Sequence, residues 1–372
     1  MLKAKLYVFC SYSKINGEET IKMNKGNRVR LGLSGCGSFG IVIASAVKRS
    51  WSSELVTCFD IIPERRRKYS ERFECDQEES YKDLVERDDI DGVLLVVPNN
   101  VHAEQAVLAA EHGKHVFVIK PIANTLADGK RMIEACDKAK VVLMVGHPKR
   151  RQAESRKAKE LLNQGALGKL IMVEANASSR QGFELTPYQF RWRGDDSGCP
   201  AGALMTIGVH DADLFNYLLG PIDTVFSFFN KLYIPAEVED VTATVFRFKS
   251  GMLGYLGSNF ASPRTNWMHI YGTDANLRWM VSHIDYDFDE LHEVATRERP
   301  TTRMMLHEKG KGEREIPFTP VDSHLEAMEE YARCIRTGER PETTGQVGLA
   351  SLALIRAAID SARTGKPVKI QV

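Results

Sequence analysis

Gly35-Cys36-Gly37-Ser38-Phe39-Gly40 is the segment whose residue types and spacing point most directly to chemistry. Three glycines at G-x-G-x-x-G spacing follow the apolar run Val29–Leu33 and precede the helical pattern Ile41–Lys48, the setting in which such a turn cradles a diphosphate. The physics asks for a tight turn at Gly35 and no side chain at Gly37, where a pyrophosphate approaches. It also asks for close strand–helix packing at Gly40, with helix N–H groups facing the phosphates. The next apolar run ends in Asp60, twenty residues past Gly40. A carboxylate there accepts hydrogen bonds from both hydroxyls of an adenosine ribose and repels a 2′-phosphate, which favours NAD over NADP. Arg65, Arg66 and Arg67 keep NADP open, because a basic side chain near that pocket can serve the extra phosphate; the alternative is a solvated helix face.

Elements of a particular kind must position this turn. From Arg28 to Val145, Val29–Leu33, Leu55–Phe59, Val93–Val97, Val116–Ile119 and Val141–Val145 read as strands, most of them apolar on both faces. Helical patterns such as Val101–Glu111 and Leu126–Lys138 lie between them, so the fold class is α/β, with a parallel, doubly wound Rossmann sheet. After a helix over Gln152–Gln164, the runs Leu170–Ala177, Thr224–Lys231, Val241–Phe248, Met252–Phe260 and Trp267–Tyr271 read as strands of a largely antiparallel, half-exposed sheet. Trp267 and Trp279 fall to sheet packing. Helices over His324–Arg336 and Val347–Arg363 end the chain, each stopped by glycine. The expected division is a tail over residues 1–27, a dinucleotide-binding domain over 28–148, and a C-terminal α/β domain over 149–372 whose last helices pack back on the first.

A length of 372 residues suits two domains at about 150 each. The balance of 50 Lys+Arg against 49 Asp+Glu argues against a nucleic-acid binder, and no apolar run approaches the roughly 18 residues of a membrane span. Seven scattered cysteines, without C-x-x-C or a Cys/His cluster, point to reduced thiols, a cytoplasmic setting and no metal.

The order of motifs resembles the Gfo/Idh/MocA family (glucose–fructose oxidoreductase, inositol dehydrogenase, rhizopine catabolism). The resemblance rests on the glycine turn with Asp60, Pro98-Asn99-Asn100-Val101-His102, the segment Gly113 to Pro121 ending Ile119-Lys120-Pro121, and the segment Gly202 to Asp213. It runs from about Arg28 to the C-terminus. It implies a Rossmann domain, a C-terminal domain whose sheet commonly serves oligomer contacts, and nicotinamide-dependent redox chemistry on sugars or cyclitols. Two departures stand out. The family's Glu-Lys-Pro is here Ile119-Lys120-Pro121, and Thr206 stands four residues before His210 where an aspartate is typical.

Oxidising a secondary alcohol needs a hydride acceptor and a base that titrates near neutrality. His210 fits the second role by its intrinsic pKa, and Asp213, one helical turn on, has the spacing to orient it. Lys120, after a buried strand and near a cationic nicotinamide, should have its charged form disfavoured, and by the resemblance it reaches both substrate and nicotinamide ribose. The resemblance makes Lys120 and His210 the catalytic pair, with Thr206 a hydroxyl contact to substrate. Pro98, Asn99 and His102 join the glycine turn as cofactor residues, although His102 can equally cap the helix that follows. On the substrate side, His147 and Arg150 fall at the domain junction. Arg191-Trp192-Arg193 combines an aromatic plate with guanidinium forks that can grip a sugar or an acidic substituent such as a uronate, sulfonate or phosphate.

The expected activity is an NAD-dependent dehydrogenase of a sugar, sugar acid or cyclitol, working as a homo-oligomer. Two alternatives remain at this point: a glycosidase that oxidises its substrate transiently and returns the hydride, and a non-catalytic dinucleotide sensor with a protein partner.

Overall fold

A computed structural model describes residues 28–180, 182, 192–282 and 301–371, with backbone alone at 282 and 301. The tail over 1–27 lies outside them. Six parallel strands form the first sheet: β1 (Val29–Ser34), β2 (Ser53–Phe59), β3 (Asp76–Gln77), β4 (Gly92–Leu95), β5 (His115–Ile119) and β6 (Leu143–Gly146). Their order is β3-β2-β1-β4-β5-β6, so the chain reverses direction across the sheet between β1 and β4. In such sheets ligands bind at the strands' carboxyl ends beside that switch. The crossovers carry α1 (Ser38–Arg49), α2 (Pro63–Phe73), α3 (Tyr81–Glu86), α4 (His102–Glu111) and α5 (Leu126–Ala139). Helices on both faces explain the all-apolar strands: Leu31, Leu33, Leu94, Leu95 and Phe117 are fully enclosed.

Past α6 (Ala153–Asn163) comes the second sheet, with β7 (Leu170–Ser178), β8 (Ile222–Asn230), β9 (Val241–Phe248), β10 (Leu253–Asn259), β11 (Asn266–Gly272), β12 (Ala275–Ser282), β13 (Thr301–Glu308), β14 (Gly312–Glu315) and β15 (Val368–Lys369). The order is β14-β13-β12-β11-β7-β10-β9-β8-β15, and β7 with β10 is a parallel pair in an otherwise antiparallel ladder. Alternation along β9 is strict. Thr242, Thr244, Phe246 and Phe248 turn inward, and Phe215 of α7 (Val209–Leu219) packs on Phe246 with ring centroids 5.0 Å apart. The opposite face leaves Phe228, Val245, Leu253 and Met280 exposed. Trp279 is buried in the main apolar core, in keeping with a packing role, whereas Trp267 is half-buried.

The last two helices return to the first sheet. Tyr331 of α8 (Ser323–Thr337) lies against Phe117, centroids 5.7 Å apart, and Glu329 accepts from Ser50 at 2.7 Å. The N-terminal end of α9 (Gly345–Thr364) reaches β6, where Val145 N–H donates to the Thr343 carbonyl at 2.8 Å. Its later turns face the second sheet, where the Ser227 N–H donates to Ser361 Oγ at 3.1 Å. Among the described residues no helix is long and apolar enough to cross a membrane.

Candidate active site

The glycine turn has the geometry its residues require. Gly35 sits at φ +103°, and a Cβ there would lie 2.2 Å from the Val96 carbonyl oxygen; a Cβ at Gly40 would lie 2.3 Å from the Gly35 oxygen. Nothing approaches within 4 Å of the corresponding point on Gly37, so that side of the turn is open for a ligand. Gly37 is also the N-cap of α1, beginning at Ser38, and no side chain caps it. The first N–H groups of the helix are therefore left for an anion. Asp60 closes the crevice at the end of β2. Its two carboxylate oxygens accept from the backbone N–H groups of Cys36 and Ile62, both at 2.9 Å, which leaves further lone pairs for a ribose.

The three arginines after Asp60 divide. Arg66 donates to the Asp60 carbonyl at 2.9 Å, while Arg67 spans Glu64 and Glu71 on the exposed face of α2. Cys36 contributes to the turn through its backbone; its thiol points back to the Phe59 carbonyl at 3.6 Å. Phe39 stands partly exposed with its ring against His324 at the start of α8, centroids 5.6 Å apart. Sequence reasoning passed over His324, because its ring neighbour lies nearly three hundred residues away in the chain.

Past β4, the backbone after Pro98 turns once over Asn99–Val101 before α4. Asn99 is buried and its amide reaches the Cys199 sulfur at 3.8 Å. His102 is fully enclosed, with its two ring nitrogens 3.0 Å from the carbonyl oxygens of Val97 and Pro121. Burial pushes its pKa down to about 4, so the ring is neutral and ties together the exits of β4 and β5. The side chain is fully buried and does not cap α4; of the two expected roles, closing over the dinucleotide and capping the helix, its contacts show neither and are those of a backbone tie.

Lys120 leaves β5 beside this tie. Its Nζ donates to the carbonyl of Thr206, one turn ahead of His210. Burial, and next the positive charge of Arg193, push its pKa down to about 7. Thr206 lies in a π-helical turn over Leu204–Gly208 that leads into α7, and its hydroxyl is 3.2 Å from the Cys199 sulfur. A turn of this kind widens the helix locally and re-aims its side chains. His210 follows, half-buried, with Nδ1 enclosed and without a hydrogen-bond partner. Burial and then the charges of Lys120 and Lys149 hold its pKa well below the usual value, so it is a neutral imidazole. The group that titrates near neutrality is thus Lys120 and not, as the intrinsic values suggested, His210.

Asp213 does not serve His210. Arg150 grips it instead, with Nε to Oδ2 at 2.9 Å and Nη2 to Oδ1 at 2.5 Å, and Ser351 adds a contact at 3.4 Å. The helical spacing was right for one face, but a forked guanidinium arriving from the domain junction offers two charge-assisted bonds where an imidazole offers one. Arg150, further stacked on Tyr217 at 4.9 Å, is therefore committed to the fold rather than to a substrate. Lys149 pairs in the same way with the buried Asp211, and Arg151 with Glu330 and Glu342. His147 is buried beside them, 3.9 Å from Asp213, with neither ring nitrogen bonded and its pKa pushed down to about 4 by burial.

Arg191 lies outside the described residues. Trp192 is half-buried and carries the Arg193 guanidinium over its ring at 4.8 Å. This turn docks on the Lys120 loop through Asn124, whose amide donates to the carbonyls of Ser197 and Gly198 at 3.0 and 2.9 Å. Cys199, fully buried between Asn99 and Thr206, was not singled out from the sequence; only its position just before the Gly202 motif hinted at it.

Residues 29–147 match the sequence model of an oxidoreductase family with an NAD-binding Rossmann fold, Gfo/Idh/MocA, and residues 155–278 match the Gfo/Idh/MocA C-terminal domain. The chain belongs to the Gfo/Idh/MocA family. It is 28% identical to myo-inositol 2-dehydrogenase of Thermotoga maritima, over 92% of this chain and 99% of that one. A crystal structure from Desulfitobacterium hafniense, provisionally named an NADPH-dependent oxidoreductase, is 32% identical with a TM-score of 0.84 and covers 92% of this chain and 98% of its own. The WlbA dehydrogenase of Bordetella pertussis, solved with NADH and UDP-GlcNAcA, is 26% identical with a TM-score of 0.77, covering 93% and 99%. In this Gfo/Idh/MocA protein the residues fit the dinucleotide that the family's Rossmann domain binds. The side of Gly37 that no atom fills, the uncapped start of α1 and the carboxylate of Asp60 are the donors and acceptors a diphosphate and a ribose require.

Proposed function

We propose that this Gfo/Idh/MocA protein is an NAD-dependent dehydrogenase acting on a secondary alcohol of a sugar, sugar acid or cyclitol, with Lys120 and His210 handling the hydroxyl proton. When bound, the dinucleotide supplies the acceptor for the carbon-bound hydrogen and its electron pair. The observation that carries the reading is the Lys120 amine, which leaves β5 at the carboxyl end of the Rossmann sheet and donates to the Thr206 carbonyl one turn ahead of the half-buried His210, with its pKa pushed down to about 7 by burial. A neutral amine takes the hydroxyl proton while the carbonyl forms, and the resulting ammonium stabilises the oxygen. His210, neutral throughout the physiological range, offers one ring nitrogen as donor or acceptor to the same oxygen. The Thr206 carbonyl fixes the amine, while the Thr206 hydroxyl is engaged by the Cys199 sulfur.

Asp60 supports NAD over NADP. Its carboxylate is held rigidly by two backbone N–H groups, and of the basic residues nearby Arg66 is engaged by the Asp60 carbonyl and Arg67 by two glutamates. Titration of the protein with each dinucleotide, followed by tryptophan fluorescence, should give the tighter constant for NAD; tighter binding of NADP would reverse this part of the reading. The exposed apolar face with Phe228, Val245, Leu253 and Met280 supports self-association through the second sheet, which light scattering on wild type and Val245→Glu would test.

The decisive experiment is absorbance of reduced nicotinamide on mixing protein and NAD with a panel of cyclitols, aldoses and uronates, with Lys120→Met alongside. Sustained formation that the variant loses supports the dehydrogenase. Product without net reduction would point to redox-assisted glycoside cleavage instead.

A further inference from the structure

Among the described residues, the buried carboxylates near Lys120 are taken by other cations. Asp211 is taken by Lys149 and Asp213 by Arg150, while Arg151 has Glu330 and Glu342. Ile119 and Thr206 bring no acid to the site. Arg193 remains. Its Nε is buried without a hydrogen-bond partner, its guanidinium lies over the Trp192 ring, and among the described residues no carboxylate pairs with it. The groups whose charges bear on it are the neutral Cys199 thiol and Lys120, the first of which gives little compensation and the second of which repels it. Arg193 is half-buried as a whole, and it is the enclosed, unbonded Nε that is costly; a planar fork is matched best by a planar carboxylate that accepts two parallel bonds.

We infer that Arg193 receives a carboxylate of the substrate, so that the sugar this site takes is an acidic one, a uronate or a related aldonic or cyclitol acid. The inference rests on the sugar-alcohol reading above and narrows it. The Trp192 ring supports the guanidinium, Asn124 anchors the turn against the Lys120 loop, and the substrate's own charge supplies the partner that the described residues do not. The Asn124 bonds that hold the Arg193 turn on the Lys120 loop set the acid group and the reacting hydroxyl within the span of one small molecule.

Binding can be read without turnover. Protein saturated with NADH is titrated calorimetrically with glucuronate, galacturonate and mannuronate, each beside its neutral aldose and the corresponding sugar 6-phosphate. At least one uronate should bind about 10- to 100-fold tighter than its aldose, the range expected for charge-assisted bonds to a buried guanidinium. Arg193→Gln should lose that preference, and Arg193→Lys, a point charge without the fork, should keep part of it. If Arg193→Gln does not fold, as judged by its thermal midpoint, the lysine variant and the wild-type panel decide alone. Equal retention of aldose and uronate, absence of uronate binding, tighter binding of the phosphate, or an unchanged preference in Arg193→Gln would each overturn the inference. Uronate binding without any reduction of NAD would remove the dehydrogenase reading and leave this one standing; turnover of neutral sugars without preference would do the reverse.

Discussion

Two sets of basic side chains differ in what answers their charge. Lys149, Arg150 and Arg151, at the junction between β6 and α6, each have a carboxylate from a distant part of the chain. Lys120 and Arg193 have none among the described residues, and Lys120 responds to its surroundings by giving up its proton near pH 7. The first set ties the segment after β6 to α7 and α8. The second, on the reading proposed here, is left open for a substrate and a proton. A buried cation's partner, more than its position in the cleft, separates a structural role from a chemical one.

Breaking the unpaired set should cost function and little else. Lys120→Met is expected to lower the rate of NAD reduction by about a thousandfold, within the range for a positioned acid–base group, while its thermal midpoint holds or rises because a buried amine is replaced by an apolar chain. Breaking the paired set should do the opposite. Asp213→Asn leaves Arg150 buried without its counter-charge, at a cost of about 3–5 kcal/mol, read as a fall of roughly 10 °C in thermal midpoint. The double variant Asp213→Leu with Arg150→Met should recover most of that loss. If Asp213→Asn left the midpoint untouched, the division between the two sets would be wrong.

The histidines sharpen the comparison further. His102 and His147 have pKa values pushed down from 6.5 to about 4 by burial, so the folded state holds them neutral where the unfolded chain protonates them. Their contribution is fully present above pH 6.5 and is lost as the pH falls from there toward 4, by on the order of 3 kcal/mol for each histidine. Thermal midpoints across that interval should fall as the buffer is acidified, and the fall should shrink in His147→Phe. The smallest effect belongs to charges in neither set. Arg67→Ala, which removes two ion pairs on the open face of α2, should leave the thermal midpoint unchanged within error.

Much of the first domain was legible in the sequence because its signals are local. A run of apolar residues buried on both faces, a glycine that alone tolerates φ +103°, and a carboxylate at the next strand end are each set within a few residues. In the second domain β12 and β13 were missed, although Leu277 and Trp279 alternate with Arg278 and Met280 as a half-exposed strand should. The candidate site was legible in which residues to consider and not in their pairings. Lys120 and His210 were singled out through motifs, and the Lys120 amine donates to the Thr206 carbonyl, one turn ahead of His210. The partner of Asp213 stands 63 residues upstream, beyond anything helical spacing can report, and the turn that seats Arg193 depends on Asn124 from the other domain. Desolvation, which lowers Lys120 to neutrality and His210 far below it, is a property of the assembled cleft.

The most direct test of the central claim is the pH dependence of kcat/KM for NAD reduction, measured with the best sugar from the panel for wild type and Lys120→Met. Lys120 is depressed by its burial and by Arg193, with Cys199 opposing, and its charge is felt by His102, His147 and His210. Because the neutral amine is the acceptor, the rate should rise with pH and level off above an apparent pKa of about 7, with that limb absent from the residual rate of the variant. A wild-type profile flat through pH 7, or a rising limb that persists in Lys120→Met, would contradict the assignment of the proton to Lys120.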